Sequence, residues 1–116
     1  MGRLDEYQEF RTRMNERILG IENRPIKRFF GLDTLTYEPG ALDTRTKELL
    51  GLVASMVLRC DDCVSYHILQ CKKEGVSDAE LYDAFSVALT VGGSIVIPHL
   101  RRAVAFLDES NAARSA

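Results

Sequence analysis

Between Glu48 and Leu58, eight of eleven residues are apolar: Leu49, Leu50, Leu52, Val53, Ala54, Met56, Val57 and Leu58. They fall on nearly every side of a helix, and a helix that is apolar all round has to be surrounded by protein. No segment of the chain alternates apolar and polar residues well enough to predict a strand. The surrounding elements are therefore expected to be helices as well. A length of 116 residues fits a single domain spanning 1–116, with 46% apolar residues supplying a modest core. The expected fold is all-α, a compact domain of about five to six helices that forms oligomers.

Leu4, Tyr7, Phe10, Met14, Ile18 and Ile21 recur at spacings of three and four, which predicts an outer amphipathic helix over the first twenty residues. From Gly20 to Gly40 two prolines, three glycines and no sustained period indicate a connection, with one short apolar turn at Arg28–Leu32. Asp43 or Thr44 can cap the apolar helix. Asp61 and Asp62 suit a fresh helix N-terminus, and that helix should stop at Gly75 after Lys72 and Lys73. Ser77 and Glu80 form a capping box, flanked by Val76 and Leu81 as a hydrophobic staple. The following helix should reach about Val91 and break at Gly92-Gly93. Ser94 is expected to cap a last helix that tolerates Pro98 in its first turn and ends near Asp108, with a frayed tail from Glu109.

Chemistry concentrates in Cys60-Asp61-Asp62-Cys63-Val64-Ser65-Tyr66-His67. On a helix the two thiols and the imidazole share one face, and Cys63 and His67 are one turn apart. Helical i, i+3 spacing sets the cysteine Cα atoms about 5 to 6 Å apart, within disulfide range. A helix N-terminus and a neighbouring imidazole both promote the reactive thiolate, whereas Asp61 and Asp62 oppose it. Cys63, with His67 as its base, is expected to attack peroxide, become a sulfenic acid and condense with Cys60 to a disulfide. Glu48 can act as the third member of a relay with His67 only if the chain bends near Arg59. A straight helix would hold Glu48 about 18 Å below Cys60.

Two other readings of the same residues stand beside this one. Cys60 and Cys63 can be small buried hydrophobes with His67 a satisfied core histidine. Alternatively, Cys60, Cys63 and His67 with Cys71 or Glu48 supply four zinc ligands of a metal-binding helical module. Cys71 is expected to fill core, and His99, after Pro98, to be structural or a rim residue. Gly92-Gly93 follows no strand and does not suggest a phosphate loop.

Composition narrows the setting. A net charge of −2 with Lys and Arg spread among Asp and Glu gives nucleic-acid binding no support. The longest nearly uncharged apolar run is about half of what a bilayer requires, and no apolar signal core opens the chain, so a soluble cytoplasmic protein is expected. Three cysteines are too few for a disulfide scaffold; in a reducing compartment Cys-x-x-Cys points to redox or metal chemistry.

From Pro39-Gly40-Ala41-Leu42-Asp43 through Lys47-Glu48-Leu49-Leu50, then Cys60, Cys63 and His67, the chain resembles the carboxymuconolactone decarboxylase-like proteins, specifically their alkylhydroperoxidase AhpD-like branch. The resemblance covers about residues 40 to 105. The branch's pattern is a glutamate twelve residues before the first cysteine of Cys-x-x-Cys-x-x-x-His, and Glu48, Cys60, Cys63 and His67 match it position by position. The resemblance implies a Glu48–His67 proton relay, Cys63 as the peroxide-reactive thiol and Cys60 as its disulfide partner. It also implies an all-helical subunit assembling as trimers or hexamers and a hydroperoxide substrate; no metal or organic cofactor is expected. Re-reduction would come from a dithiol such as a lipoyl group or a thioredoxin-like protein, or the protein would itself reduce a peroxiredoxin. Asp62 stands where some AhpD proteins carry a further histidine. The decarboxylases that name the family lack the cysteine pair, so the pair favours redox work over lyase activity on a lactone.

Overall fold

The computed structural model describes residues 2–115, which form six α-helices, one 3₁₀ turn and, among the described residues, no strand. The helices are α1 (Arg3–Leu19), α2 (Arg24–Thr36), α3 (Thr44–Val57), α4 (Asp61–Lys73), α5 (Asp78–Gly92) and α6 (Ile97–Ser115). Helix α3 packs on α4 and α5, α4 on α6, and α1 lies outside against α6. Among the described residues no helix is long and apolar enough to cross a membrane.

Local chemistry sets most helix ends. Asp43 accepts from the Thr46 N–H at 2.8 Å and starts α3. At the end of α4, Val76 N–H donates to Cys71 O and Gly75 N–H to Lys72 O, with Gly75 at φ 80°. That pairing is a Schellman stop, and the left-handed residue it needs is a glycine. Helix α5 opens with both bonds of the Ser77–Glu80 capping box, at 3.1 and 3.0 Å.

The core joins Leu52 and Met56 of α3, Val64, Ile68 and Cys71 of α4, Leu81, Phe85 and Ala88 of α5, and Ala103, Phe106 and Leu107 of α6. Each large side chain buried here contributes on the order of 1.5–3 kcal/mol. Val76 and Leu81 are both buried in it, beside the capping box. Tyr7 brings α1 to this core by meeting Phe106 edge to face, with ring centroids 5.7 Å apart.

Three expectations need correction. The segment between Gly20 and Gly40 is not mainly connection: α2 occupies thirteen of its residues, started by Asn23, whose side chain accepts from Ile26 N–H, and by Pro25 in its first turn. None of its residues is buried, and Pro25 and Gly31 within it read as breakers in the sequence. After Gly93, Ser94 opens a 3₁₀ turn without a side-chain cap, and α6 starts only at Ile97, carrying Pro98 in its first turn. The last helix does not fray after Asp108 but continues to Ser115. Glu109 accepts from Leu4 N–H at 3.0 Å, Ser110 is buried, and Asn111 donates to Asp78 at 2.9 Å.

The apolar helix α3 is also not enclosed by its own chain. Leu50 is 56% and Leu58 77% exposed, and Phe29, Leu32 and Leu35 of α2 stand in solvent as well.

Candidate active site

The chain reverses between α3 and α4 at Arg59, a left-handed residue with φ 61°. For a side chain with a Cβ that conformation costs on the order of 1 kcal/mol, and it turns α4 back along α3. Cys60 is the cap residue of α4. Its backbone N–H donates to Ser55 O at 3.0 Å, and its sulfur accepts from Cys63 N–H at 3.3 Å. Cys60 and Cys63 form a disulfide with Cα atoms 5.3 Å apart. Cys63 is exposed and Cys60 half-buried.

The same reversal brings Glu48 and His67 together. His67 Nδ1 lies 2.7 Å from Glu48 Oε1, and both residues are buried. An ionised carboxylate can only accept, so it holds the ring with Nδ1 protonated and leaves Nε2 to exchange protons. Space for the ring comes from Gly51: a Cβ there would fall 2.6 Å from His67 Cε1, 2.8 Å from His67 Nε2 and 2.8 Å from the Tyr37 hydroxyl. Tyr66 meets the imidazole edge-on at 5.2 Å and Tyr37 lies tilted at 5.5 Å. Burial, reinforced by the Glu48 charge, raises both phenols, so they stay protonated beside the pair.

Cys63 and His67 open onto a cleft of about 900 Å³ between α1, α4 and α6. Tyr7, Phe10, Met14 and Ile18 of α1 form its apolar wall with Phe106, and Arg3, Glu6, Arg11, Asp33, Asp61, Asp62 and Arg102 supply its charged groups. Arg11 lies 4.5 Å over the Tyr66 ring, a cation–π contact between α1 and α4. Cys71 is fully buried in the core, where burial pushes its thiol up to about 12. His99 is neither isolated nor at the relay: its Nδ1 lies 2.7 Å from Asp61 Oδ1. Among the described residues no group of three or more His, Cys, Asp or Glu side chains is arranged to hold a metal ion.

All four residues singled out by spacing, Glu48, Cys60, Cys63 and His67, therefore lie around the α3–α4 reversal. Sequence reasoning missed Tyr37, Gly51 and the Asp61–His99 contact. Only Gly51 left a signal, as a glycine inside an apolar helix, where it costs about 1 kcal/mol relative to alanine unless something approaches closely.

The family model for the carboxymuconolactone decarboxylase family matches residues 26–106. Uncharacterized protein 4 in the cox locus of Paracoccus denitrificans is 31% identical over 85 residues, covering 73% of this chain and 77% of that protein. A crystal structure of a carboxymuconolactone decarboxylase family protein from Thermotoga maritima superposes with a TM-score of 0.90 at 54% identity, covering 95% of this chain and 93% of that one. Its description raises, without asserting, a part in antioxidative response. A family protein from Legionella pneumophila, solved in its apo form, superposes with a TM-score of 0.66 at 25% identity, covering 90% of this chain and 87% of that one. In sequence and in fold alike, this chain belongs to the carboxymuconolactone decarboxylase family.

Proposed function

We propose that this protein is a thiol-dependent peroxidase or disulfide reductase of the alkylhydroperoxidase type. The observation that carries the reading is a Cys60–Cys63 disulfide at the head of α4, joined across the Arg59 reversal to a buried Glu48–His67 pair. Cys63 is the more exposed of the two cysteines and lines the cleft, so once the pair is reduced it is the thiol placed to meet a hydroperoxide.

The Cys63 thiolate attacks the terminal peroxide oxygen, the O–O bond breaks, and the departing alkoxide takes a proton to leave as an alcohol. Cys63 is then a sulfenic acid. The Cys60 sulfur displaces its hydroxyl as water, forming the disulfide. One hydroperoxide and two thiols become one alcohol, one water and one disulfide, a two-electron change. His67 takes the Cys63 proton and returns one to a leaving oxygen, while Glu48 orients the ring and stabilises its charged form. A dithiol donor closes the cycle by exchange, whether a lipoyl group or a thioredoxin-like protein, and the re-reduced pair can in turn pass its electrons to a peroxiredoxin. A cytosolic setting would keep such a donor reduced.

The exposed Phe29, Leu32, Leu35, Leu50 and Leu58 fit a second copy of the chain, and we place the working form as a trimer or hexamer. Light scattering on a sizing column reads this directly; a monomer at micromolar concentration would refute it.

The reaction is tested by counting free thiols and measuring intact mass before and after one equivalent of an organic hydroperoxide on reduced protein. Loss of two thiols and two mass units per chain, reversed by a dithiol, is expected. Unchanged thiols, together with turnover of a lactone acid by a Cys60→Ser, Cys63→Ser variant, would replace this reading with a decarboxylase-type lyase.

A further inference from the structure

Asp61 is the first residue of α4 and follows Cys60 directly, so an unbalanced carboxylate there opposes thiolate formation at the cysteine pair. It is not left unbalanced. Helix α6 sets His99 Nδ1 2.7 Å from one of its oxygens and Arg102 Nη1 3.4 Å from the other. Neither group takes part in the Glu48–His67 pair. Asp61, Arg102 and Cys63 line the same cleft, so the carboxylate and Arg102 face the space in which the sulfurs react, with His99 holding the carboxylate from behind that lining. The other charges around that cleft are Asp62 on α4, Arg3, Glu6 and Arg11 on α1, and Asp33 on α2. Among the described residues Asp62 makes no ion pair, so within the Cys-x-x-Cys loop only Asp61 is offset.

We propose that His99, acting through Asp61 and seconded by Arg102, is a positioning residue for the Cys60–Cys63 couple. By its hydrogen bond it draws the Asp61 carboxylate onto α6, beside the Arg102 guanidinium that offsets part of its charge, which favours the thiolate and with it the reduced form. This rests on the reading of the two cysteines as a redox couple. The equilibrium concerned is balanced by exchange alone: protein disulfide plus external dithiol gives protein dithiol plus external disulfide, two electrons and two protons passing between them. Stabilising a thiolate makes such a couple more oxidising.

The test equilibrates the full chain in dithiothreitol buffers of graded ratio, traps free thiols by alkylation and reads the reduced fraction by intact mass. The pH dependence of thiol alkylation is followed in parallel. His99→Leu should shift the couple toward the disulfide by at least about threefold, or about 15 mV, and should move the thiol titration upward. Asp61→Asn should shift both in the opposite direction, and His99→Leu added to Asp61→Asn should change neither further. A His99→Leu protein with the wild-type equilibrium and titration, or with the same shift in the Asp61→Asn background, would overturn the inference. If His99→Leu does not fold, Asp61→Asn alone decides: an unchanged or less oxidising couple overturns it. A wild-type disulfide that no dithiothreitol ratio reduces would sink the redox reading itself and this inference with it, whereas a reducible pair indifferent to His99 sinks only the latter.

Discussion

His67 Nδ1 and Glu48 Oε1 are 2.7 Å apart although nineteen residues separate them, because Arg59 turns α4 back along α3 and aligns the second turns of the two helices. Both residues are buried, so their contact excludes most water and couples the carboxylate strongly to the ring. Glu48→Gln keeps the size of the side chain and removes its charge. Peroxide turnover should fall by about 10²-fold, while circular dichroism stays that of the parent. Turnover within twofold of the parent would remove Glu48 from the relay.

Gly51→Ala tests whether His67 owes its place to a missing methyl group. Helix propensity alone favours alanine by about 1 kcal/mol, but the new Cβ would lie 2.6 Å from the imidazole and 2.8 Å from the Tyr37 hydroxyl. Overpacking of this kind costs about 1–3 kcal/mol, so urea unfolding should show a net loss of stability together with impaired turnover. A more stable, fully active variant would mean that the ring moves aside freely.

Cys71 should behave unlike the other two cysteines. With its thiol pushed to about 12 by burial, it is protonated and shielded in the folded chain. Reduced native protein at pH 8 should therefore show two rapidly reacting thiols toward a disulfide reagent, and a third only after denaturation. Three equally fast thiols would place Cys71 outside the core.

Glu80 gives stability a pH dependence with a definite sign. Hydrogen bonds from the Arg45 side chain, then from the Ser77 backbone, lower its carboxyl from 4.5 to about 2. A folded-state value below the unfolded one means that the contribution is complete above the unfolded value and is lost as pH falls through the folded one. Between about pH 4.5 and pH 2, wild type should lose more stability than Glu80→Gln, as read from denaturation midpoints. Parallel curves would show that Arg45 and Ser77 do not hold the carboxylate in solution.

Truncation after Asp108 should destabilise the protein rather than trim a loose end. It removes the Glu109 acceptor of Leu4 N–H, buried Ser110, and Asn111, which donates to Asp78. Since Lys72 also pairs with Asp78, this tail ties α1, α4, α5 and α6 together. A thermal midpoint unchanged by the truncation would count against these ties.

What could be read from the chain alone was the chemistry of near neighbours. A cap at Asp43 or Thr44, which the structure resolves to Asp43, the Ser77–Glu80 box, the Gly75 stop and the Cys60–Cys63 spacing are relationships over three or four residues, and a helix brings such residues together wherever it sits. Even the need for a bend near Arg59 followed from helix geometry, since Glu48 and His67 could not otherwise meet. Helix α2 escaped notice because Pro25 and Gly31 read as breaks in the sequence, whereas Pro25 sits in the first turn, where a helix tolerates it. The length of α6 was hidden for another reason: its last turns are held by partners on α1 and α5, not by an apolar stripe of their own. Tertiary structure alone decided that Tyr37 and Gly51 border the imidazole, that Cys63 and not Cys60 lines the cleft, and that His99 reaches Asp61 across 38 residues. Those relations depend on how helices pack against one another, and packing is set by contacts between residues distant in sequence that no local spacing encodes.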